Sequence, residues 1–453
     1  MLFMRLIARF AKEEKNYFEI ITVYDTEVVN ERIEKVTPTL TSIALKYPSA
    51  VWFERKISDD FGIEIIESSD NQNFPKHHYF PKNTYPMRKI FSKLDIDPKD
   101  REDEKVTETI GTVLGPVQPY HLESSQFQLF DRNGQILHFE SIPFYKYRAI
   151  EKMVEGMDIN EAKPIIERIS GTSSIAYQLA YLEIQLQASK RTLPTSLKIK
   201  HMFFLEFERV INHLSDLGEM SESIHFKEGV SFFTKLVEYG REIMHDLTGH
   251  RFGFSITNME NTVALTSGYE FLRYLEKELL WFEKWLKDKP SFWKKLLDKG
   301  FISKEETSLF GLVGLVARSS EMELDRRSSD KIYMDYGFVP AQEGQGEVSS
   351  RFKIRLTEIH TSLRIMRRVL DNKVLPFFLG SFLDGEYYSY IESSAGELMM
   401  YLKIKDEKIE RFFVRDPSFL NLQVLSRCLK GDDLESLRLV IKSIPISFSA
   451  NDL

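Results

Sequence analysis

A charged stretch at residues 93–108 divides this chain of 453 residues into two parts. Its 16 positions hold 11 charged side chains, and Pro98 lies among them. Unpaired charges are too costly to bury in a hydrophobic core, and a run of this kind therefore stays in solvent between folded parts. The sequence predicts an N-terminal domain at residues 1–92, a linker at 93–108 and a second domain at 109–453.

The N-terminal part has the pattern of a small α/β domain. Tyr17–Tyr24 and Ser49–Phe53 are rich in the β-branched and aromatic residues that favour strands. One helix is predicted between them, around residues 29–47.

The part after the linker is predicted to be mainly helical. In residues 349–372 apolar side chains recur every three or four positions, which is typical of one buried helix face. Similar patterns predict helices within residues 160–189, 197–218, 228–248 and 267–289, and a β-hairpin is predicted from Glu397–Ile404 and Lys408–Arg415. The predicted fold class is therefore α+β: a small N-terminal α/β domain followed by a mainly helical domain with small β-sheets.

The composition excludes several classes of protein. Cys428 is the single cysteine, so the chain cannot form an internal disulfide or hold a CxxC zinc site or a Cys-ligated iron–sulfur cluster by itself. A net charge of -7 disfavours a general nucleic-acid binder. No apolar run approaches the length of a membrane span, and we expect a cytoplasmic protein that reaches a membrane only through partners.

Generic catalytic motifs are absent from the sequence, but blocks of residues occur in a family-specific order. The first are Trp52–Ile63, with the sequence WFERKISDDFGI, and Tyr85–Lys89, with YPMRK. Later blocks include Gly115-Pro116, RAIEK at 148–152, EFERVINHL at 206–214 and GLVARSS at 314–320.

In this order the blocks resemble the fused C and D subunits of NADH-quinone oxidoreductase (complex I). They equally resemble the large subunit of energy-converting (group 4) nickel–iron hydrogenases of the formate hydrogenlyase and hydrogenase-4 type. The resemblance implies a domain like the C subunit at residues 1–92. It implies a domain like the D subunit, or like the hydrogenase large subunit, at 109–453.

The resemblance also shows what this chain has lost. Nickel–iron hydrogenases hold their metal pair with four thiolates from two CxxC motifs, because soft thiolates suit this centre. The corresponding positions here are Ser170, Ser173, Ser447 and Ala450. The resemblance therefore implies that this chain binds no metal and that hydrogenase activity is not expected.

In complex I the corresponding region heads a quinone cavity, where a tyrosine and a histidine bind the quinone oxygen. Gly171 occupies the tyrosine position, and Ala395 replaces an arginine of a nearby loop. The family's PGG stretch is also lost, around residues 259–261. Glu123 falls on the glutamate linked to proton transfer in hydrogenases, with a solvated loop carboxylate as the alternative.

The resemblance implies two groups of site residues. Glu123 and His121 are the candidate catalytic residues, although His121 could also be a surface histidine. The candidate quinone or acceptor cavity consists of Gln118, Tyr120, Gly171 and Ser447.

Two arginines match family residues that face the iron–sulfur cluster of a neighbouring small subunit. Positive charge from Arg148 and Arg168 would raise the potential of that cluster, although either could be a structural ion pair. The resemblance implies three kinds of partner: an iron–sulfur small subunit like the B subunit of complex I, a ferredoxin-like subunit, and membrane subunits that are either antiporter-like or like the H subunit of complex I. No cofactor is expected on this chain itself; the cluster belongs to a partner, and a quinone is possible.

The predicted function is the large peripheral-arm subunit of such an oxidoreductase, attached to the cytoplasmic face of the inner membrane through its partners. The alternative is a catalytically degenerate scaffold or coupling subunit, which the lost cysteines, tyrosine and arginine favour. Arg318 and Asp325 are expected to brace the fold, His213 to lie in the core, and Cys428 to be a structural thiol.

Overall fold

A computed structural model describes residues 4–68, 81, 83–91, 111–117, 123–142, 144–258, 266–369 and 377–453. Helices account for 46% and strands for 19%. The predicted α+β class is confirmed: the N-terminal region is rich in strands and contains a helix, and the remainder is mostly helical with small sheets. The predicted linker lies outside the described residues, and so the domain boundaries stay a prediction. Among the described residues, no helix has the length and apolar character that a membrane span requires.

The N-terminal region is built on an antiparallel sheet of three strands in the order β1-β2-β3, with a helix packed against it. A short parallel pair, β4 and β5, lies beside this unit. The elements are β1 (Leu6–Glu13), β2 (Tyr17–Tyr24), β3 (Val28–Glu34), β4 (Thr39–Thr41), α1 (Ala50–Phe61) and β5 (Glu64–Ile66).

Two sequence predictions in this region are wrong. Residues around 29–47 form β3 and β4 rather than a helix, because β3 pairs along its whole length with β2, from Tyr17 opposite Glu34 to Val23 opposite Val28. Pairing in this hairpin overrides the helix-like spacing of the apolar residues. Ser49–Phe53 is the start of α1 rather than a strand, and α1 ends at Gly62, which has a φ of 68°.

Strands β6, β7 and β8 lie within the described residues 111–117 and 123–142. After them the chain forms a helical body around α5. The long helix α5 packs against α6 and α12, and it also contacts α4 and α15. The elements are β6 (Thr112–Leu114), β7 (Gln126–Arg132), β8 (Gln135–Ile142), α2 (Ile150–Val154), α3 (Lys163–Ile166), α4 (Ser174–Ala188), α5 (Thr195–Ser223), α6 (Lys227–Thr248), α7 (Thr266–Lys287), α8 (Pro290–Leu296), α9 (Lys304–Phe310), α10 (Gly314–Arg318), α11 (Lys331–Asp335) and α12 (Val348–Arg368). The helices predicted at 197–218, 228–248, 267–289 and 349–372 are confirmed to within a few residues as α5, α6, α7 and α12. The range 160–189, predicted to be helical, contains two helices, α3 and α4, separated by residues 167–173.

The chain ends in a second three-stranded antiparallel sheet and three short helices. The sheet has the order β11-β10-β9, and β10 and β11 confirm the predicted hairpin. The elements are β9 (Gly385–Glu392), β10 (Glu397–Lys405), β11 (Lys408–Arg415), α13 (Pro417–Asn421), α14 (Leu425–Cys428) and α15 (Leu437–Ser443).

One hydrophobic core joins the N-terminal strands to the rest of the chain. The ring of Phe10 on β1 stacks on Phe413 of β11, with 4.1 Å between ring centroids. The guanidinium of Arg415 donates to the main-chain oxygen of Ile7 at 3.2 Å. Phe10, Phe413 and Arg415 are all buried. Their contacts therefore fix the first sheet against the last one.

A cluster of buried charges lies between α5, α10 and α12. Arg318 pairs with Glu358 at 2.6 Å, with Asp325 at 3.0 Å and with Glu392 at 2.9 Å. Although burial alone would raise it, Arg318 and a hydrogen bond from His213 hold the pKa of Glu358 well below its usual range. These ion pairs agree with the prediction that Arg318 and Asp325 brace the fold.

His213 lies in the core, as predicted. Its Nε2 lies 2.8 Å from Glu358 Oε2, whereas its Nδ1 has no hydrogen-bond partner among the described residues. Burial lowers the pKa of His213, so the imidazole stays neutral at physiological pH.

Gly314 is a position where a side chain is expected to destabilise the protein. It has a φ of 67°, and a Cβ there would lie 2.1 Å from the main-chain oxygen of Ala395. We expect Gly314→Ala to lower the free energy of unfolding by about 2 kcal/mol or more, measured by urea denaturation of the full chain. Gly249→Ala is the matched control, because Gly249 has a φ of 77° but no atom within 4 Å of the place that a methyl group would take, and it should cost only about 1 kcal/mol. Equal losses in both variants would contradict the role of the close approach.

Candidate functional site

Two segments far apart in the sequence meet at the end of the helical body. The first is the loop 170–173, directly before α4, and the second is residues 444–453, after α15. The hydroxyl oxygens of Ser170 and Ser447 lie 3.1 Å apart. The structure thus places the two stretches that match the hydrogenase metal motifs side by side.

Arg148 holds these two segments together. Its guanidinium donates to the main-chain oxygen of Ile169 at 2.5 Å and to that of Ser449. Its main-chain nitrogen donates to the oxygen of Asp452 at 2.8 Å. Arg148 therefore makes structural contacts on both sides of the site.

The carboxylate of Glu123 lies at the junction of the two segments. It accepts hydrogen bonds from the hydroxyl of Ser447 at 3.3 Å, from the hydroxyl of Ser449 and from the main-chain nitrogen of Phe448. All three donors are neutral. The carboxylate is therefore positioned by hydrogen bonds from uncharged groups.

A cavity of about 200 Å³ opens beside Glu123. Its wall comes from the start of α4, the middle of α5, the turn at 394–395, and residues 416–418 and 442–447. Lys442 on this wall pairs with Glu219 at 2.8 Å, and Asp216 pairs with Arg355 at 2.9 Å. The rest of the wall combines hydroxyl groups, the Asn212 amide and the Glu123 and Asp416 carboxylates with the Arg241 side chain and an apolar stretch at residues 444–446.

Asp416 lies on the cavity wall, and the sequence analysis did not predict it as a site residue. Its carboxylate accepts hydrogen bonds from Tyr177 at 2.8 Å and from the hydroxyl of Ser418 at 2.5 Å, and Ser418 in turn accepts one from the nitrogen of Ser447 at 3.0 Å. Burial raises the pKa of Asp416 above its usual value. The available sequence signal was Asp-Pro-Ser at the start of α13, a helix-capping pattern.

Glu208 on α5 anchors the beginning of α4. It accepts hydrogen bonds from the main-chain nitrogens of Ile175 at 2.7 Å and Ala176 at 3.4 Å. Burial raises the pKa of Glu208 to about 8 despite these bonds. Asn212, one turn further along α5, donates to the main-chain oxygen of Thr172 and to Ser394 at 2.8 Å. These contacts fix the loop 170–173.

The other predicted site residues fall in different surroundings. Ser173 and Ala450 are buried, and the main-chain nitrogen of Ala450 donates to Ser447 Oγ at 3.2 Å. Gly171 is exposed, and a Cβ there would lie 3.7 Å from the ring of Phe252, which leaves room for a side chain. Arg168 is half exposed and lies over the ring of Phe254 at 4.4 Å. Gln118, Tyr120, His121 and the PGG position at 259–261 lie outside the described residues.

The residues at the junction do not fit a nickel–iron centre. Three of the four matching positions offer serine hydroxyls, whose hard oxygens differ from the required thiolates, and Ala450 offers no ligand atom. No group of three or more His, Cys, Asp or Glu side chains in the described part of the chain could hold a metal ion. Cys428 is buried in α14, and burial raises the pKa of its thiol to about 12.

Asp452 makes the stability of the folded chain depend on pH. Burial raises the pKa of its carboxyl to about 7, against an opposing effect of Arg148 and with a further increase from Glu123. Because the folded chain keeps this proton up to about pH 7 and the unfolded chain loses it near pH 4, the contribution of Asp452 to stability falls across that range. We expect Asp452→Asn to gain stability relative to wild type between pH 5 and pH 7.5, by about 2–3 kcal/mol, in urea denaturation. A constant difference across this range would contradict the assignment.

Two known sequence families match parts of this chain. Residues 3–95 match the 30 Kd subunit of respiratory-chain NADH dehydrogenase, and residues 235–376 and 381–452 match its 49 Kd subunit. The chain belongs to these two subunit families, fused in one polypeptide. The cavity wall at residues 394–395, 416–418 and 442–447 lies within the 49 Kd match, whereas Glu123, Thr172 and Asn212 lie outside it.

Two curated relatives match nearly the whole chain, and a third matches about three quarters of it. All three matches also cover most of the relative's own length. Formate hydrogenlyase subunit 5 of Escherichia coli is 25% identical, and the match covers 94% of this chain and 79% of that protein. Hydrogenase-4 component G of the same organism is 24% identical over 94% of this chain and 78% of its own length. The H subunit of NAD(P)H-quinone oxidoreductase from Thermosynechococcus vestitus is 24% identical over 77% of this chain and 99% of that protein. The 30 Kd/49 Kd fusion is thus similar to both hydrogenase and quinone-oxidoreductase subunits.

Proposed function

We propose that this chain is the large peripheral-arm subunit of a membrane-associated oxidoreductase of the complex I or hydrogenase-4 type. Its cavity beside Glu123 would take a quinone-type electron acceptor, with electrons supplied by an iron–sulfur cluster on a partner subunit. The subunit would work without a nickel–iron centre. The likeness to oxidoreductase subunits over nearly the whole chain supports the general assignment.

The observation that carries the proposal is that serine hydroxyl groups stand beside an open cavity at positions where the related hydrogenases have cysteine thiols. Ser170 and Ser447 meet at 3.1 Å, and Ser447 also binds the Glu123 carboxylate. A cavity of about 200 Å³ is large enough for the ring system of a small quinone, and hydroxyl donors on its wall suit the two carbonyl oxygens.

Residues of this chain would supply the protons for such a reduction. A quinone that takes up two electrons also takes up two protons, and a nearby acid makes this easier because it neutralises charge on the oxygen as it develops. Among the described residues, Glu123 is the proposed proton donor. His121 is the second proposed donor. Gly171 leaves the complex I tyrosine position without a phenol, so this chain must use other acids.

Arg148 and Arg168 are proposed to face the partner's cluster. Arg168 is half exposed beside the site, and its charge would favour the reduced form of a cluster placed against that surface. Arg148 would contribute less directly, because its guanidinium already binds the two site segments.

The proposed assembly contains an iron–sulfur small subunit, a ferredoxin-like subunit, and membrane subunits of two kinds, one like the H subunit of complex I and the other antiporter-like. This chain would attach to the cytoplasmic face of the inner membrane through them. The names of the curated relatives, which belong to hydrogenlyase, hydrogenase-4 and quinone-oxidoreductase complexes, support this arrangement.

Isolation of the intact assembly tests the proposal. The co-purifying subunits are identified, and the clusters are reduced with dithionite. Their reoxidation after addition of menadione, a quinone without an isoprenoid chain, is followed by absorbance and electron paramagnetic resonance. We expect a small subunit with a complete cluster motif and quinone-dependent reoxidation. A small subunit without cluster cysteines, or reduced clusters that quinone leaves unchanged, would support the scaffold function instead.

A further inference from the structure

Tryptophan and lysine are concentrated in one short part of this chain. Three of its four tryptophans, Trp281, Trp285 and Trp293, lie within 13 residues at the end of α7 and the start of α8. Residues 284–295 hold five lysines and one acidic residue, Asp288, in a chain whose net charge is -7. This part of the chain therefore combines a local positive charge with large aromatic rings.

Helix α7 is buried on one side and exposed on the other. Leu275, Leu279 and Phe282 on its buried side pack into the core. On the opposite side, Trp281 is 61% exposed and Leu280 is 56% exposed. Two neighbouring apolar side chains thus project from the helix into solvent.

Lysines surround these two side chains. The tryptophan–lysine surface consists of the exposed residues Lys277, Leu280, Trp281, Lys284 and Lys287. Because these residues are spaced by three or four positions, they lie on successive turns of one helix face. The face is therefore both basic and aromatic.

Two acidic side chains of α7 are held at its flank by α12. Glu276 pairs with Arg367, and Glu283 pairs with His360 at 2.6 Å. These contacts keep both carboxylates away from the exposed lysines. The positive charge of the tryptophan–lysine surface is therefore largely uncompensated by α7 itself.

The residue types indicate which partner this surface fits. Tryptophan favours the boundary between water and hydrocarbon, and the long apolar stem of lysine lets its charge stay in water beside such a boundary. Interfaces between proteins are instead enriched in arginine and depleted in lysine, whereas residues 277–299 contain seven lysines and no arginine. A second copy of this chain would bring lysines against lysines. An anionic lipid surface matches both the charge and the aromatic rings.

We propose that the tryptophan–lysine surface binds the anionic headgroups of a lipid membrane. In the bound state the lysines contact headgroup phosphates, and Trp281 and Leu280 enter the boundary between headgroups and acyl chains. Since only two apolar side chains enter, most of the attraction is electrostatic and weakens with added salt. This contact goes beyond the proposed function, in which partner subunits attach the chain to the membrane, and it requires neither an acceptor nor an iron–sulfur cluster.

Co-sedimentation of the full chain with lipid vesicles tests the charge. We expect the chain to bind vesicles made of phosphatidylcholine and phosphatidylglycerol in equal amounts, to bind pure phosphatidylcholine vesicles weakly, and to be released by added salt. The double variant Lys277→Gln/Lys284→Gln should bind the mixed vesicles about tenfold more weakly or less, because each lysine near an anionic surface contributes about fivefold. Lys405→Gln/Lys430→Gln is the matched control, since both lysines are exposed and lie outside α7 and α8. It should bind like wild type.

Tryptophan fluorescence tests whether the ring enters the lipid. The mixed vesicles are prepared with phosphatidylcholine that is brominated near the headgroup, and bromine quenches a tryptophan that contacts it. We expect clear quenching in wild type and much less in Trp281→Ala. Phe378→Ala is the control for loss of an exposed aromatic ring, because Phe378 is 71% exposed, and it should be quenched like wild type. Urea denaturation of every variant shows that its fold is retained.

The outcomes separate this proposal from its alternatives. Equal binding of wild type to the two kinds of vesicle, or wild-type binding by Lys277→Gln/Lys284→Gln, would overturn it. Failure of wild type to bind either vesicle, with partner subunits lost from assemblies of the variants, would make the surface a protein interface and would also overturn it. Lysine-dependent binding to the mixed vesicles, together with clusters that quinone does not reoxidise, would support this proposal and overturn the proposed function.

Discussion

Glu123→Gln is expected to lower quinone-dependent turnover of the assembly by about 100-fold or more, because a positioned general acid contributes that much to proton transfer. Glutamine has nearly the same shape and retains an oxygen that can accept from the nitrogen of Phe448. It cannot release a proton to an acceptor. The variant should therefore assemble normally and fail in the proton-dependent step.

The measurement is the steady-state rate with menadione, combined with the thermal midpoint of each variant. Glu222→Gln is the matched control, because Glu222 pairs with Arg438 at 2.7 Å on the surface and is 53% exposed. It should retain wild-type turnover. Turnover of Glu123→Gln within about twofold of wild type would remove Glu123 from the mechanism.

Arg318→Met is expected to lower the free energy of unfolding by about 3–5 kcal/mol, which is typical when one partner of a buried ion pair is removed. Arg318 is fully buried and lies within 3.0 Å of oxygens of Glu358, Asp325 and Glu392. Methionine fills much of the same volume, so the loss comes mainly from the carboxylates that remain without their cation. Burial already raises the pKa of Glu392 to about 7, and we expect Glu392 to bind a proton in the variant.

Arg438→Met provides the comparison for a surface ion pair. Arg438 is 28% exposed and its partner Glu222 is 53% exposed, so its loss should cost less than about 1 kcal/mol. Urea denaturation of both full-chain variants measures the difference. Similar small losses in the two variants would contradict the structural role assigned to the buried cluster.

The sequence predicted most helices of the second part because their burial follows from local periodicity. In α12 the apolar residues Phe352, Leu356, Ile359 and Leu363 repeat every three or four positions, and all of them are buried. The N-terminal part was less predictable. The apolar residues of β3 have a spacing that also fits a helix, and only pairing with β2 makes this segment a strand.

The candidate site was predictable only in part and only through the resemblance to a family. Ser170 and Ser447 are 277 residues apart, and no spacing rule brings them together, although the family motifs place both at one site. Asp416, Glu208 and Asp452 were missed because each acquires its altered pKa from burial by distant segments.

The central claim is that the cavity beside Glu123 takes the electron acceptor. Ala395 lies on the cavity wall, and Ala395→Trp would fill much of a space of about 200 Å³ without removing any of the hydrogen bonds around Glu123. Val339→Trp is the matched control, because Val339 is 56% exposed on the surface.

The most direct test is the stopped-flow rate at which menadione reoxidises the dithionite-reduced clusters of each assembly. We predict that Ala395→Trp lowers this rate by about tenfold or more while its clusters remain reducible, and that Val339→Trp matches wild type. Equal reoxidation rates in all three assemblies would contradict the claim that the acceptor enters this cavity.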